Sequence, residues 1–93
     1  MSMFQDGDKA WLLDKGEIIP VQLRQGGLPD EWFVWDGIDN ISPWRFSTRG
    51  LQNKVFASLE AASTALRAEA LIQQAQVESK IALAKMRKPE GWQ

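Results

Sequence analysis

Two periodicities divide the chain. From Lys9 to about Ala57 apolar residues alternate with polar ones in short runs, and from Ser58 onward they recur every three or four positions. The first pattern predicts strands and the second a helix. Phe4–Asp8 reads as an opening turn, with Asp and Gly where turn geometry wants them. Lys9–Leu13 is a first strand, and Asp14-Lys15-Gly16-Glu17, with its late Gly, has the pattern of a hairpin with a bulge. Glu17–Leu23 is a second strand, with Ile19, Val21 and Leu23 on one face and Ile18, Pro20 and Gln22 on the other. Pro20 donates no ladder bond, which places this strand at an edge or at a bulge. Arg24–Asp30 is a loop. In Glu31-Trp32-Phe33-Val34-Trp35-Asp36-Gly37 four large apolar residues run together, with Trp32 and Val34 on one face and Phe33 and Trp35 on the other. This is the expected central strand, and bulky residues on both faces ask for cover on both sides. Gly37–Pro43 is a loop with Ile38 and Ile41 turned inward, Trp44–Ser47 a short strand, Thr48-Arg49-Gly50 a turn, and Asn53–Ala57 a fifth strand.

Ser58 is an N-cap and Glu60 places a carboxylate in the first helical turn. No Gly or Pro interrupts Leu59 to Lys88, so one long helix is predicted, ended by Pro89. The expected organisation is a sheet or small barrel over residues 1–57, a helix over 58–88 and a tail over 89–93. The fold class is α+β: a five-stranded, strongly twisted antiparallel sheet or barrel, then one long C-terminal helix. Such a helix is about 45 Å long, roughly twice the length that strands of this size can cover. Leu59, Ala62, Leu66, Ala70, Val77, Ile81 and Ala84 form one stripe, interrupted at Gln73, while Ile72, Leu83 and Met86 with Ala75 and Ala82 form a second. The first helical turns are expected on the sheet. The distal half either lies free or has company, and pairing with a second copy is favoured over docking on a partner.

Composition narrows the function classes. The 93 residues make one domain of globular composition, 44% hydrophobic and 25% charged, with net charge −1, which exerts no strong overall pull on nucleic acid or acidic membranes. The chain has neither Cys nor His, which removes disulfides, thiolate metal sites and the commonest general base. No apolar run approaches the roughly 18 residues of a membrane span, and Met1-Ser2-Met3 opens no signal peptide. A cytoplasmic protein without a cofactor is expected. Five Trp and no Tyr is the unusual figure, since Trp is a favoured interface anchor.

Catalytic signatures are thin, and the carboxylates fall in turns and at strand ends, so no catalytic residue is assigned. Asp36-Gly37-Ile38-Asp39-Asn40 has oxygen ligands but lacks the rest of a calcium loop, so turn chemistry is favoured over a metal. Non-catalytic protein binding fits the residues best. Trp11, Trp32, Trp35 and Trp44 are its candidates on the sheet, using whichever of Trp32 and Trp35 the core does not take and rimmed by Asp30, Glu31 and Asp36. Such a patch would suit a basic or proline-rich ligand. Ile72, Val77, Ile81, Leu83 and Met86 are the candidates on the helix. The alternative is a nucleic-acid edge built from Arg24, Arg45, Arg49 and Lys54 with Trp44 and Phe46. Against it, residues 1–57 carry six cationic and eight anionic side chains.

Gly7-Asp8-Lys9-Ala10-Trp11, followed by an alternating strand and a hairpin, resembles the Gly-Asp-x-Val-Trp opening of SH3-like small barrels of the Tudor and KOW type. The resemblance covers residues 4–57 and implies a binding module for protein tails or nucleic acid, without catalysis. The long helix departs from that family. So does the missing Tyr, which leaves only Trp11, Trp32 and Trp35 where an aromatic cage would be. In style the chain is similar to phage or mobile-element accessory proteins, many of which bind a host protein.

Overall fold

Five short strands curl into a half-barrel with the order β4-β3-β2-β1-β5, all neighbours antiparallel. A computed structural model describes residues 4–36, 43–69 and 73–93 of the chain. The strands are β1 (Lys9–Asp14), β2 (Glu17–Gln25), β3 (Trp32–Asp36), β4 (Trp44–Phe46) and β5 (Val55–Phe56). The helices are α1 (Thr48–Lys54), α2 (Leu59–Glu69) and α3 (Gln74–Arg87). The inward turn expected of Ile38 and Ile41, the Asp36–Asn40 loop beyond Asp36, and Ile72 lie outside the described residues. No described helix is long and apolar enough to cross a membrane.

The β1–β2 connection differs from the expected bulge. Asp14 pairs with Glu17, and the two residues between them, Lys15 at φ 51 and Gly16 at φ 77, make a tight turn with both central residues left-handed. That twist matches the flanking strands, and Gly is the residue that adopts it without strain. Nor does Pro20 push β2 to an edge, because β2 stands in the middle of the sheet. Counting alternate pairs from Asp14–Glu17, Pro20 falls opposite Trp11 in a pair that exchanges no hydrogen bond. On its other side the described pairing with β3 begins only at Val21–Asp36. The missing N–H therefore costs no bond in the described ladder.

Side-chain alternation sorts the sheet into two cores. Ala10, Leu12, Val21, Leu23, Trp32, Val34 and Val55 fill the concave side together with Phe4 and Leu51. Leu51 comes from α1, where the sequence predicts a turn followed by strand. Gly50 lowers the helix propensity there, but the start of the helix is held twice. Ser47 Oγ accepts from the Gly50 N–H at 3.1 Å, and Asp30 Oδ1 accepts from the Thr48 N–H at 2.9 Å. The Thr48 N–H and hydroxyl hold the Asp30 carboxyl below the usual carboxylate range. With Leu51 buried beneath it, α1 bridges β4 and β5 and shortens the fifth strand to two residues.

The convex side carries the other core: Trp11, Leu13 and Ile18 from the sheet against Leu59, Ala62 and Leu66 of α2 and Val77, Ile81 and Ala84 of α3. The single long helix of the sequence reading is thus two helices. Gln73, the residue that interrupts the apolar stripe, is extended at φ −66 and ψ 148 and starts α3. The second helix folds back antiparallel along the first, with Arg67 Nε 2.9 Å from Glu78 Oε1, and rests on β2, where Lys80 pairs with Glu17. Arg67 and Glu78 hold each other charged, raising the guanidinium pKa and lowering the carboxyl. Propensity favoured one rod; burying Val77, Ile81 and Ala84 on the chain's own sheet outweighs it. The described residues of the first stripe, Leu59, Ala62, Leu66, Val77, Ile81 and Ala84, are covered by the chain's own sheet and helices.

The tail is docked. The Trp92 indole N–H donates to the carbonyls of Ala10 at 2.9 Å and Val21 at 3.1 Å, with Lys9 Nζ 5.0 Å from the ring centre. The Gln93 carbonyl accepts from the Trp11 indole and from the Leu59 N–H, which leads α2. Ser58 caps the same helix through its hydroxyl, which accepts from Ala61 N–H at 3.1 Å.

Candidate functional site

The helical pair covers only part of the convex face. Its contacts fall on β1, β2 and β5. The β2–β3–β4 half of that face presents Gln22 and Arg24, Phe33 and Trp35, and Arg45, one strand after another. All nine aromatic side chains lie among the described residues, and seven of them belong to or pack against one of the two cores. Phe33 and Trp35 do neither, and both are half-buried.

Register sets what surrounds them. Arg24 of β2 lies opposite Phe33, and Arg45 of β4 lies opposite it on the other side, so the ring sits between two guanidinium-bearing residues. Gln22 lies opposite Trp35. The Arg45 guanidinium carbon is 5.9 Å from the centre of the Phe33 ring, within cation–π range. Its position is fixed from behind by Glu31, whose Oε2 accepts from Arg45 Nε at 3.0 Å and from Nη2. Glu31 is itself held, with only 14% of its side chain exposed. It folds against Gly26, whose N–H donates to the Glu31 carbonyl at 2.7 Å. A Cβ at Gly26 would lie 2.6 Å from Glu31 Cγ. The glycine therefore makes room for the carboxylate that positions Arg45. Gly26→Ala is expected to displace Glu31 and free Arg45, costing about 1 kcal/mol. The check is urea unfolding together with loss of the amide shift that the Phe33 ring imposes at Arg45.

Charge on this face is matched in place. Arg45 is met by Glu31, and Arg24 Nη1 lies 3.9 Å from Asp6 Oδ2. The arginines add planar, polar surface around the aromatics more than they add net positive charge.

The sequence-predicted residues separate accordingly. Trp35 lies on the open face; Trp32, the alternative to it, and Trp11, expected nearby in the same patch, are core residues at 2% and 0% exposure. Their indole N–H groups are satisfied inside, that of Trp11 by the Gln93 carbonyl and that of Trp32 by Thr48 Oγ1 at 3.2 Å. Trp44 pairs with Val34 and so faces the concave core, against which it packs. Val77 and Ile81 are buried on the sheet, whereas Leu83 at 39% and Met86 at 84% exposure stay on the outer side of α3. Of the four cationic candidates, Arg24 and Arg45 flank Phe33, while Arg49 and Lys54 stand on α1, outside that row. Sequence reasoning left Phe33 out of the site. Its signal was present, since strand alternation places it beside Trp35.

Comparison of the chain with protein-family models, with curated proteins and with solved structures found no match.

Proposed function

We propose that the chain is a non-catalytic protein-binding module whose docking face is the Phe33–Trp35 side of β3. One observation carries this reading: in a chain with nine aromatic side chains, only these two are left out of both cores, and they stand side by side on a rigid strand. Flat anchors beside a held arginine and an amide, within a charge-matched rim, suit a peptide segment. The curled five-strand order supports the resemblance of Gly7–Trp11 to SH3-like small barrels and the binding role it implies. On this reading the chain is a cytoplasmic, phage-type protein acting on a host protein.

The second reading is single-stranded nucleic acid, favoured by the Arg24–Phe33–Arg45 row. Ion pairing of both arginines weighs against it, and salt separates the two. Selection of a displayed peptide library on the protein is expected to enrich a peptide family that the Phe33→Ser/Trp35→Ala variant no longer retains. That variant should keep the parent's fold and lose no more than about 2 kcal/mol, because both side chains are half-buried and lie outside the two cores. Affinity for the selected peptide should change less than about threefold between 50 and 500 mM salt. Enrichment of the same peptides by the variant would dismiss the face. Tight oligonucleotide binding that falls steeply with salt would transfer the face to the nucleic-acid reading.

A further inference from the structure

A second surface lies where the helical pair meets the docked tail, and it does not rest on the reading of β3. Where α2 and α3 run antiparallel, a groove of about 640 Å³ opens between them and the docked tail. Leu59, Ile81 and Trp92 line its floor, and Arg67, Lys85 and Lys88 stand along it with Glu60 as the one acidic lining residue. Arg67 is paired with Glu78, and Lys85 lies near enough to the same carboxylate to help keep it charged, while Lys88 makes no ion pair among the described residues. In a protein of net charge −1, this is a local cationic excess set beside apolar floor.

We propose that this groove docks an extended acidic peptide segment that carries a large apolar residue between its carboxylates. Charge complementarity selects the acid, and the floor selects the apolar side chain. Geometry sets the length. Arg67 sits level with Glu78, and Lys88 lies ten residues further along the chain of α3, about 15 Å away at helical rise. An extended chain covers that span with about five residues. One carboxylate then reaches Lys88 or Lys85, a second competes with Glu78 for the exposed Arg67 guanidinium, and the side chain between them rests on Ile81 and Trp92. The groove is open along its length, as a peptide requires.

The test uses the full chain and two fluorescein-labelled octapeptides, one alternating Asp and Glu with Leu and Phe, the other with Asn and Gln in place of the acids. The acidic peptide is expected to bind at least about tenfold more tightly than its amide counterpart, two exposed ion pairs being enough for that ratio. Amide shifts in the ¹⁵N spectrum should fall at Ser63, Lys85 and Trp92. Lys85→Glu/Lys88→Glu changes two exposed positions, so its spectrum should keep the parent's dispersion while acidic-peptide affinity drops about tenfold. Trp35→Ala should leave this binding unchanged, which separates the groove from the β3 face. The proposal is overturned if both peptides bind equally, if neither binds, or if the shifts fall at Phe33 and Trp35. It is equally overturned if a single-stranded oligonucleotide or phosphatidylglycerol vesicles bind the groove and the acidic peptide does not.

Discussion

Ile81→Asp is expected to lower the unfolding free energy by about 4 kcal/mol, by placing a carboxylate in the apolar contact between helix and sheet. Ile81 is 3% exposed and packs in the convex core with Trp11, Leu13 and Ile18. Urea unfolding followed by far-UV circular dichroism measures the loss. Leu83→Asp, two residues along the same helix but 39% exposed, is the matched control and should stay within about 0.5 kcal/mol of the parent. The contrast distinguishes a helix docked on its own sheet from a free rod or a seam between two copies. In a free rod, neither change would affect the sheet's unfolding. In a seam, Ile81→Asp would shift the sedimentation coefficient and leave the isolated molecule as stable as before.

Trp11→Ala should cost about 3–5 kcal/mol, the usual range for emptying a fully buried aromatic site. That is a large share of the roughly 5–15 kcal/mol that holds a domain together. Trp11 is 0% exposed, lies opposite Pro20 on one side and Phe56 on the other, and reaches the Gln93 carbonyl at 3.1 Å. Trp11→Phe separates packing from the hydrogen bond. It keeps most of the apolar contact, leaves that carbonyl with the Leu59 N–H alone, and should cost about 1–2 kcal/mol. Denaturant midpoints of both variants, read beside Trp35→Ala, give the check. If Trp35→Ala proved as damaging as Trp11→Ala, Trp35 would be a core residue and the docking face would be lost.

What could be read from the residues, and what could not, follows from how local each determinant is. Strand alternation is local, so the facing of Ile19, Val21 and Leu23, and of Trp32 with Val34, was legible and agrees with the two cores. The Ser58 cap is local as well, and the hydroxyl–N–H bond to Ala61 is where it was expected. The α1 helix was not legible, because one of its two supports is Asp30, eighteen positions away with β3 and β4 in between. The break at Gln73 shows the same limit. Ala-rich sequence without Gly or Pro favours one rod, and only burial on a sheet formed some sixty residues earlier favours folding back. For the site, alternation placed Phe33 with Trp35 on one face. Which face stays open depends on how far α2 and α3 reach across the sheet, and that is a property of the whole fold.

The outermost strands of the half-barrel are three and two residues long, and α1 spans from one to the other. Sheets rich in tryptophan and isoleucine are prone to stack border to border into fibrils, each raw margin serving as a template for the next chain. Margins this brief, with a helix laid across the gap, offer little to copy. Lengthening β4 by a few β-branched residues, or deleting α1, would restore such a template, and concentrated solutions of that chain would be the place to look for thioflavin-positive material.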